Sequence, residues 1–197
     1  MGEGVKIKKN FIFKTGIIII IIFIAAFTGN KIVEHAGTGG FKNFSFEQIS
    51  LRMRLPQTTI VTKEYITSQE ILFSSYLDNK ELGFWGFVQL WNISNVDSFL
   101  NRSKSQSEFN FINYENRKIQ NKYYKGFRLT WSAKLRDARV LLGTEYFLSA
   151  PHDDRVLRIS FFADNNFGRK KLNRFAEQAI ASLEWQLGQD NPVIYQP

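Results

Sequence analysis

Two hydrophobic periodicities organise the chain beyond its first forty residues. ISLRMRL (49–55) alternates strictly, with Ile49, Leu51, Met53 and Leu55 on one face and Ser50, Arg52 and Arg54 on the other, the pattern of a half-buried strand. FRLTWSAKLR (127–136) repeats it, setting Phe127, Leu129, Trp131, Ala133 and Leu135 against Arg128, Thr130, Ser132, Lys134 and Arg136. EILFSSYL (70–77) and GFWGFVQLW (83–91) also read as strands, and the second is apolar on both faces, as a strand covered on both sides must be. LLGTEYFLSA (141–150) and RVLRISFFA (155–163) flank Pro151-His152-Asp153-Asp154, a turn composition that predicts a hairpin. The other period is helical. NISNVDSFLNRSK (92–104) opens with a capping Ser or Asn, and its Val96, Phe99 and Leu100 then recur on one side. Leu172, Phe175, Ala176, Ala179, Ile180 and Leu183 mark an amphipathic helix over roughly 167–186. Strands come first and a helix last, which predicts an α+β fold with a central antiparallel sheet flanked by helices.

The amino-terminal pattern is of a different kind. Gly16 to Phe27 carries no charge and includes six consecutive isoleucines, too short alone for the roughly 20 apolar residues of a membrane-spanning helix. Phe11, Ile12 and Phe13 extend it past Lys14, whose ammonium can reach the interface along its own stem. Counted over 11–29 the segment is long enough to span, with Lys14, Ile17, Ile20 and Ile24 among its anchoring residues. Ala25 and Ala26 sit between Ile24 and Phe27, which makes a poor small-residue cleavage site. The segment therefore reads as a retained signal anchor. Lys6, Lys8, Lys9 and Lys14 outweigh Lys31 behind it, so the positive-inside rule places the amino terminus in the cytoplasm and the domain outside. The expected organisation is a basic cytoplasmic tail (1–10), an anchor (11–29), a Gly-rich linker (30–43), an extracytoplasmic domain (44–186) and a disordered tail (187–197).

Composition narrows the function. The chain has no cysteine, so an external domain must hold together by its core without disulfides. The net charge is +8, and the first forty residues hold five lysines against two glutamates. The rest is only mildly basic, less concentrated than a nucleic-acid binder requires, and its aromatic residues fall on core positions of the alternating strands. No nucleic-acid partner is expected. An anionic membrane or wall suits this charge at least as well.

Four stretches carry a family resemblance: FWGFVQLWNI leading into the helix at 96–104, Tyr124-Lys125-Gly126-Phe127 opening a strand, the hairpin GTEYFLSAPHDDRVLRISFFAD, and the closing helix. In this order they resemble the PsbP-like family, which has a Mog1/PsbP-like fold, and most of all the membrane-anchored PsbP-related proteins of Gram-positive bacteria. The likeness spans roughly residues 44 to 186. It implies a central antiparallel sheet with helices on both sides, and a role as an accessory or binding domain rather than an enzyme. The chain departs from the plant photosystem II subunits in its anchor and in lacking a run of metal-ligating residues, so a photosynthetic role does not carry over.

Candidate chemistry is sparse. His152, Asp153 and Asp154 offer a weak divalent-cation site, although such residues ordinarily serve a turn by bonding its backbone. No HExxH or GxSxG motif occurs, and the acidic residues are scattered, so neither a zinc hydrolase nor a serine hydrolase nor a glycosidase is signalled. No cofactor is implied. Arg52, Arg54, Arg128, Lys134, Arg136 and Arg158 alternate away from the core residues and would form one positive surface if their strands were neighbours. Arg169, Lys170, Lys171 and Arg174 open the closing helix, where positive charge opposes the helix dipole by a few tenths of a kcal/mol. They either face an anion or form a solvated face whose cost Asp164 and Asn166 offset by capping. The expected function is a non-catalytic binding or accessory module at the cell envelope, facing an anionic lipid, a wall polymer or a protein partner. The alternatives are an envelope hydrolase with a hidden site and an assembly subunit of a larger membrane complex.

Overall fold

The structure is a computed structural model that describes residues 40–149 and 154–186. The expected basic tail, the anchor with Lys14, Ile17, Ile20 and Ile24, the linker before residue 40, His152, Asp153 and the tail from 187 lie outside the described residues.

Among the described residues, ten strands and two α-helices follow one another in the order β1 (Phe41–Phe46), β2 (Leu51–Pro56), β3 (Ile60–Lys63), β4 (Ile71–Asn79), β5 (Phe84–Asn92), α1 (Val96–Gln106), β6 (Asn110–Gln120), β7 (Lys125–Lys134), β8 (Val140–Ser149), β9 (Arg155–Asp164), α2 (Arg169–Ala181) and β10 (Glu184–Trp185). Seven strands form one sheet in the order β3-β4-β5-β9-β8-β7-β6, and β1-β2-β10 form a second. Every pairing is antiparallel. This is the expected α+β arrangement, because the large sheet has a helix against each face.

The two faces have separate cores. On one, Val88, Leu142, Tyr146, Leu157, Ile159 and Phe161 meet Leu172, Phe175, Ala176 and Ala179 of α2 and Leu51, Met53 and Leu55 of the small sheet. On the other, Trp91, Leu129, Trp131, Phe147 and Phe162 meet Leu100 of α1. Such two-sided coverage explains why β8 and β9 are buried almost throughout rather than on alternate residues. Trp131 lies across β8 at Gly143: a Cβ there would come within 2.2 Å of the indole.

Several element boundaries differ from the sequence expectation, each for a local reason. Ile49 and Ser50 are not strand: Glu47–Ile49 is a 3-10 turn, closed by Ser50 with φ at 48°. Ile49 still points inward, so the alternation it joined is real while its backbone is not extended. Leu135 and Arg136 lie past the end of β7. Helix α1 starts at Val96, where the Asn95 side chain accepts a 2.8 Å hydrogen bond from the Ser98 amide. Helix α2 spans Arg169–Ala181 and is shorter than its apolar stripe; Leu183 lies beyond it, followed by β10. Strands β1, β3 and β6 have no counterpart in the sequence reading, and β1 begins at Phe41, within the stretch expected as linker.

Candidate functional site

Helix α2 carries the basic cluster anticipated from sequence. Its Leu172, Phe175, Ala176, Ala179 and Ile180 are buried, which at 3.6 residues per turn turns Lys170, Lys171 and Arg174 to the outer face. Those three are exposed and Arg169 is half-buried. None of the four forms an ion pair among the described residues. Lys171 Nζ lies 4.5 Å from the centre of the Phe167 ring, a cation–π contact with its own helix approach. The expected caps are not used. Gly168 occupies the N-cap with φ at 84° and no side chain to accept a hydrogen bond. Asp164 instead precedes a 3-10 turn at Asn165–Phe167, again without a side-chain cap. The first turn thus holds three basic residues, no acid and no cap, so its conflict with the dipole is not offset locally.

The strand arginines do not form the single surface their alternation suggested. Arg52 and Arg54 belong to the small sheet, where Arg52 sits 3.7 Å from Glu184. Arg136 is beyond β7, pairing with Glu108 at 3.4 Å in open solvent, and Lys134 is exposed. Arg128 and Arg158 lie on opposite faces of the large sheet, since Arg128 pairs across with Tyr146, Tyr146 with Ile159, and Arg158 is the next residue along β9. Arg158 is 7% exposed, enclosed under α1 and unable to face a partner.

Its surroundings explain the burial. The Glu145 carboxylate accepts hydrogen bonds from Arg158 Nη2 at 2.6 Å, Arg158 Nε at 2.9 Å, Ser160 Oγ at 3.0 Å and Trp131 Nε1 at 2.7 Å. Gln89 Oε1 accepts from Arg158 Nη1 and from Trp91 Nε1, both at 3.1 Å, while Gln89 Nε2 donates to Ser74 Oγ. Ser74 in turn donates to the Glu64 carboxylate. Buried charge is tolerated only when paired and hydrogen-bonded in this way. The network crosses β7, β8, β9, β5 and β4 and ends at Glu64, beside a cleft of about 360 Å³ that Ile49, Ile66, Phe73, Lys63 and Arg155 also line. The β4 ladder shifts register between Ile71 and Phe73 there, and Leu72 is left half exposed. The carboxylate of Glu145 has its oxygens taken up by donors, so the network holds the sheet together and presents no reactive group.

Under the flank of α2 the large sheet is uncovered and polar. Arg128 Nη1 contacts Glu177 Oε1 at 2.8 Å, with the Arg128 side chain 18% exposed. Arg117 lies directly across the strand pair from Arg128, and Glu115 across from Thr130. Together with Asn173 they border a recess of about 90 Å³. The Asn173 Oδ1 accepts from the buried Thr144 hydroxyl at 2.7 Å. Tyr146, beneath Arg128, has its phenol pushed up to about 12, chiefly by burial, with Arg128 acting in the opposite direction. Tyr76 and Tyr114 are likewise pushed up to about 12, mainly by burial. Asp154 of the hairpin turn is exposed, and no group of three or more His, Cys, Asp or Glu residues placed to hold a metal exists among the described residues. No described helix is long and apolar enough to cross a membrane.

No family model matches the sequence, and no curated protein does. Solved structures do match by shape. The chain is similar to the cyanobacterial PsbP (CyanoP) of Synechocystis sp. PCC 6803, with a TM-score of 0.51 and 11% identity over 79% of this chain and 98% of that one. It is similar also to the Ran-binding protein Mog1p of Saccharomyces cerevisiae, with a TM-score of 0.50 and 8% identity over 75% of this chain and 96% of that one. The domain thus has the PsbP/Mog1-like fold that the four sequence stretches suggested.

Proposed function

We propose that this chain is a membrane-anchored binding or accessory module whose domain lies outside the cytoplasm and faces an anionic layer, lipid headgroup or wall polymer, across the outer face of α2. The observation that carries the reading is the first turn of that helix. Lys170 and Lys171 project from it and Arg174 from the next turn, with no acidic residue in the first turn and no side chain at the N-cap, so an external anion supplies the charge that the helix lacks. The anchor reading rests on the apolar segment 11–29 and its lysine flank, as in the Gram-positive PsbP-related proteins that the sequence resembles. Each basic side chain near an anionic surface contributes about 1 kcal/mol within a Debye length.

The test uses the full chain reconstituted in lipid nanodiscs. At roughly 20 mM salt, where screening is weak, amide exchange over 169–174 should slow in anionic discs relative to neutral ones. High salt should abolish the difference, as should replacing Arg169, Lys170, Lys171 and Arg174 by Gln. Equal exchange in both kinds of disc rules out the anionic-layer reading.

A second reading, docking onto a protein partner, is favoured by the 94% exposed Tyr65 and the half-exposed Leu72 and Ile60 around β3 and β4. Mog1p, which shares the fold, is a Ran-binding protein. A photo-crosslinker at position 65 that captures one defined membrane protein from intact cells would support it.

A further inference from the structure

We propose that α2 and the small sheet form one face, completed by Arg52 and Arg54, that lies on the anionic headgroups of the bilayer holding the chain's own anchor. This face includes the outer side of α2, so it rests on the anionic-layer reading of that helix and adds which layer it meets.

Helix α2 and the small sheet cover the same face of the large sheet, since Leu172, Phe175 and Ala176 share a core with Leu51, Met53 and Leu55. They lie side by side there. The Arg54 amide donates to Ser182 Oγ at 2.8 Å, just past the end of α2, and the chain then pairs with β2 at Glu184 and Trp185. Because Leu51, Met53 and Leu55 point inward, Arg52 and Arg54 point out of the layer and are exposed. Lys170, Lys171 and Arg174 point out of it from the helix. At 1.5 Å per residue, Arg174 and Ser182 stand about 12 Å apart along the axis. The arginines of β2 therefore extend the helix cluster into a single basic strip.

The strip holds little acid to neutralise it. Glu184 approaches Arg52 at 3.7 Å, and Glu177 is engaged by Arg128 at 2.8 Å. Arg54, Arg169, Lys170, Lys171 and Arg174 form no ion pair among the described residues. Asn43 and Ser45, paired with Arg54 and Arg52 in β1, add no charge. The opposite side of the domain differs. There α1 has Asp97 in its first turn and Lys104 in its last, an order that suits its dipole without a partner.

The tether selects the source of the anion. The chain enters the domain in this same layer: the Gly40 carbonyl accepts from the Gln57 amide at 2.9 Å, and the Phe41 ring is 6.4 Å from that of Phe175 in α2. Residues 30–39 separate the expected anchor from Gly40, and such a length reaches at most about 35 Å when fully extended. The strip thus stays near the headgroups of its own bilayer. Tethering makes even a weak attraction intramolecular, at a high effective concentration. A polymer farther out gains nothing from it.

The test uses the full chain in lipid nanodiscs that carry a paramagnetic chelate on some headgroups. The chain has no cysteine, so Ser45→Cys on the outer face of the small sheet, or Ser105→Cys on α1, takes a single spin label. At roughly 20 mM salt, where screening is weak, relaxation of the label at 45 should be faster in anionic discs than in neutral ones. The label at 105 should not distinguish them, and high salt should remove the difference at 45. Arg52→Gln combined with Arg54→Gln should lower the ratio of docked to undocked domain at least ~10-fold. The melting temperature should hold, because both side chains are exposed. Unchanged docking in that variant, or equal enhancement at 45 and 105, overturns the assignment. So does slowed amide exchange over 169–174 in anionic discs without headgroup contact at 45, which leaves the anionic-layer reading standing. Slowing of those amides by soluble poly(glycerol phosphate) in neutral discs, again without contact at 45 in anionic ones, gives the helix to a wall polymer instead. If neither the label at 45 nor the helix amides distinguish the two kinds of disc, this face and the reading beneath it fall together.

Discussion

Trp131 crosses β8 where position 143 has no side chain, and its indole nitrogen ends on Glu145. Three residues on two strands therefore act as one unit, which sets the size of the expected losses. Trp131→Ala removes a buried large aromatic and should cost about 3–5 kcal/mol in urea unfolding, whereas Thr130→Ala on the opposite, half-buried face should cost much less. Gly143→Ala overpacks the same contact and should cost about 1–3 kcal/mol. In a Trp131→Ala background that cost should largely vanish, and additive losses would show that the two residues do not share the contact. Glu145→Gln strands the buried Arg158 charge and should cost about 3–5 kcal/mol. Glu177→Gln, from a carboxylate 57% exposed, should cost under about 1 kcal/mol.

The tyrosines give the pH dependence its sign. Tyr76, Tyr114 and Tyr146 hold their protons to about pH 12 in the fold, against 10.0 for an ordinary tyrosine phenol. Their raised values contribute stability that is intact below pH 10 and lost as pH rises towards 12, because only the unfolded chain has released its protons in that interval. Phenolate absorbance should accordingly rise together with the loss of near-ultraviolet circular dichroism.

At the scale of elements, strands were readable from sequence where one face is dry and the other wet. The alternation of β2 and β7 survives in their burial. Strand β6 was not readable because it is an edge strand with exposed or half-buried residues throughout, so neither face imposes a pattern; its charged Glu115, Arg117 and Lys118 are what an unpaired edge needs to discourage association. Strand β3, at the other edge, is only four residues long. Arg158 was misplaced for the opposite reason. Strand β9 is covered on both sides, so alternation there says nothing about exposure. The usable signal was chemical: Glu145 is the one charged residue in β8, and Arg158 the one in the interior of β9. The recess was half legible, since Arg128 stood out in its strand, but Arg117 and Asn173 reach it through a strand pairing and a helix packing that no local pattern encodes. For α2 the uncapped, basic first turn makes a direct prediction. Lys170→Glu should raise thermal stability by about 0.3–1 kcal/mol at low ionic strength, and a drop would mean that the lysine has a partner within the fold.

For the whole molecule, the sheet with a core on each face accounts for a domain that holds without cysteine. The anchor is tested at this scale. Full-length protein should stay in the membrane fraction after an alkaline wash, and protease added outside intact cells should remove the domain while sparing the lysine-rich tail. A soluble mature form beginning between Ala26 and Gly40 would end the anchor reading.

The chain enters the described domain through β1 and leaves it through β10, and the two flank β2 in the small sheet. Both run antiparallel to β2, so they point the same way, with the start of β1 beside Pro56 and the end of β10 beside Leu51. A pull between the two ends therefore loads the small sheet in shear, along the strands, and does not peel their bonds open one by one. The load reaches the seven-stranded sheet only after the small one yields. The weak link is β10, which has two paired positions against six for β1, backed by one further bond from the Gln186 amide to the Ser50 carbonyl at 3.0 Å. Tension transmitted through the chain should detach that short strand first and leave the buried Glu145–Arg158 layer closed, so the domain behaves as a mechanical fuse at its carboxyl end.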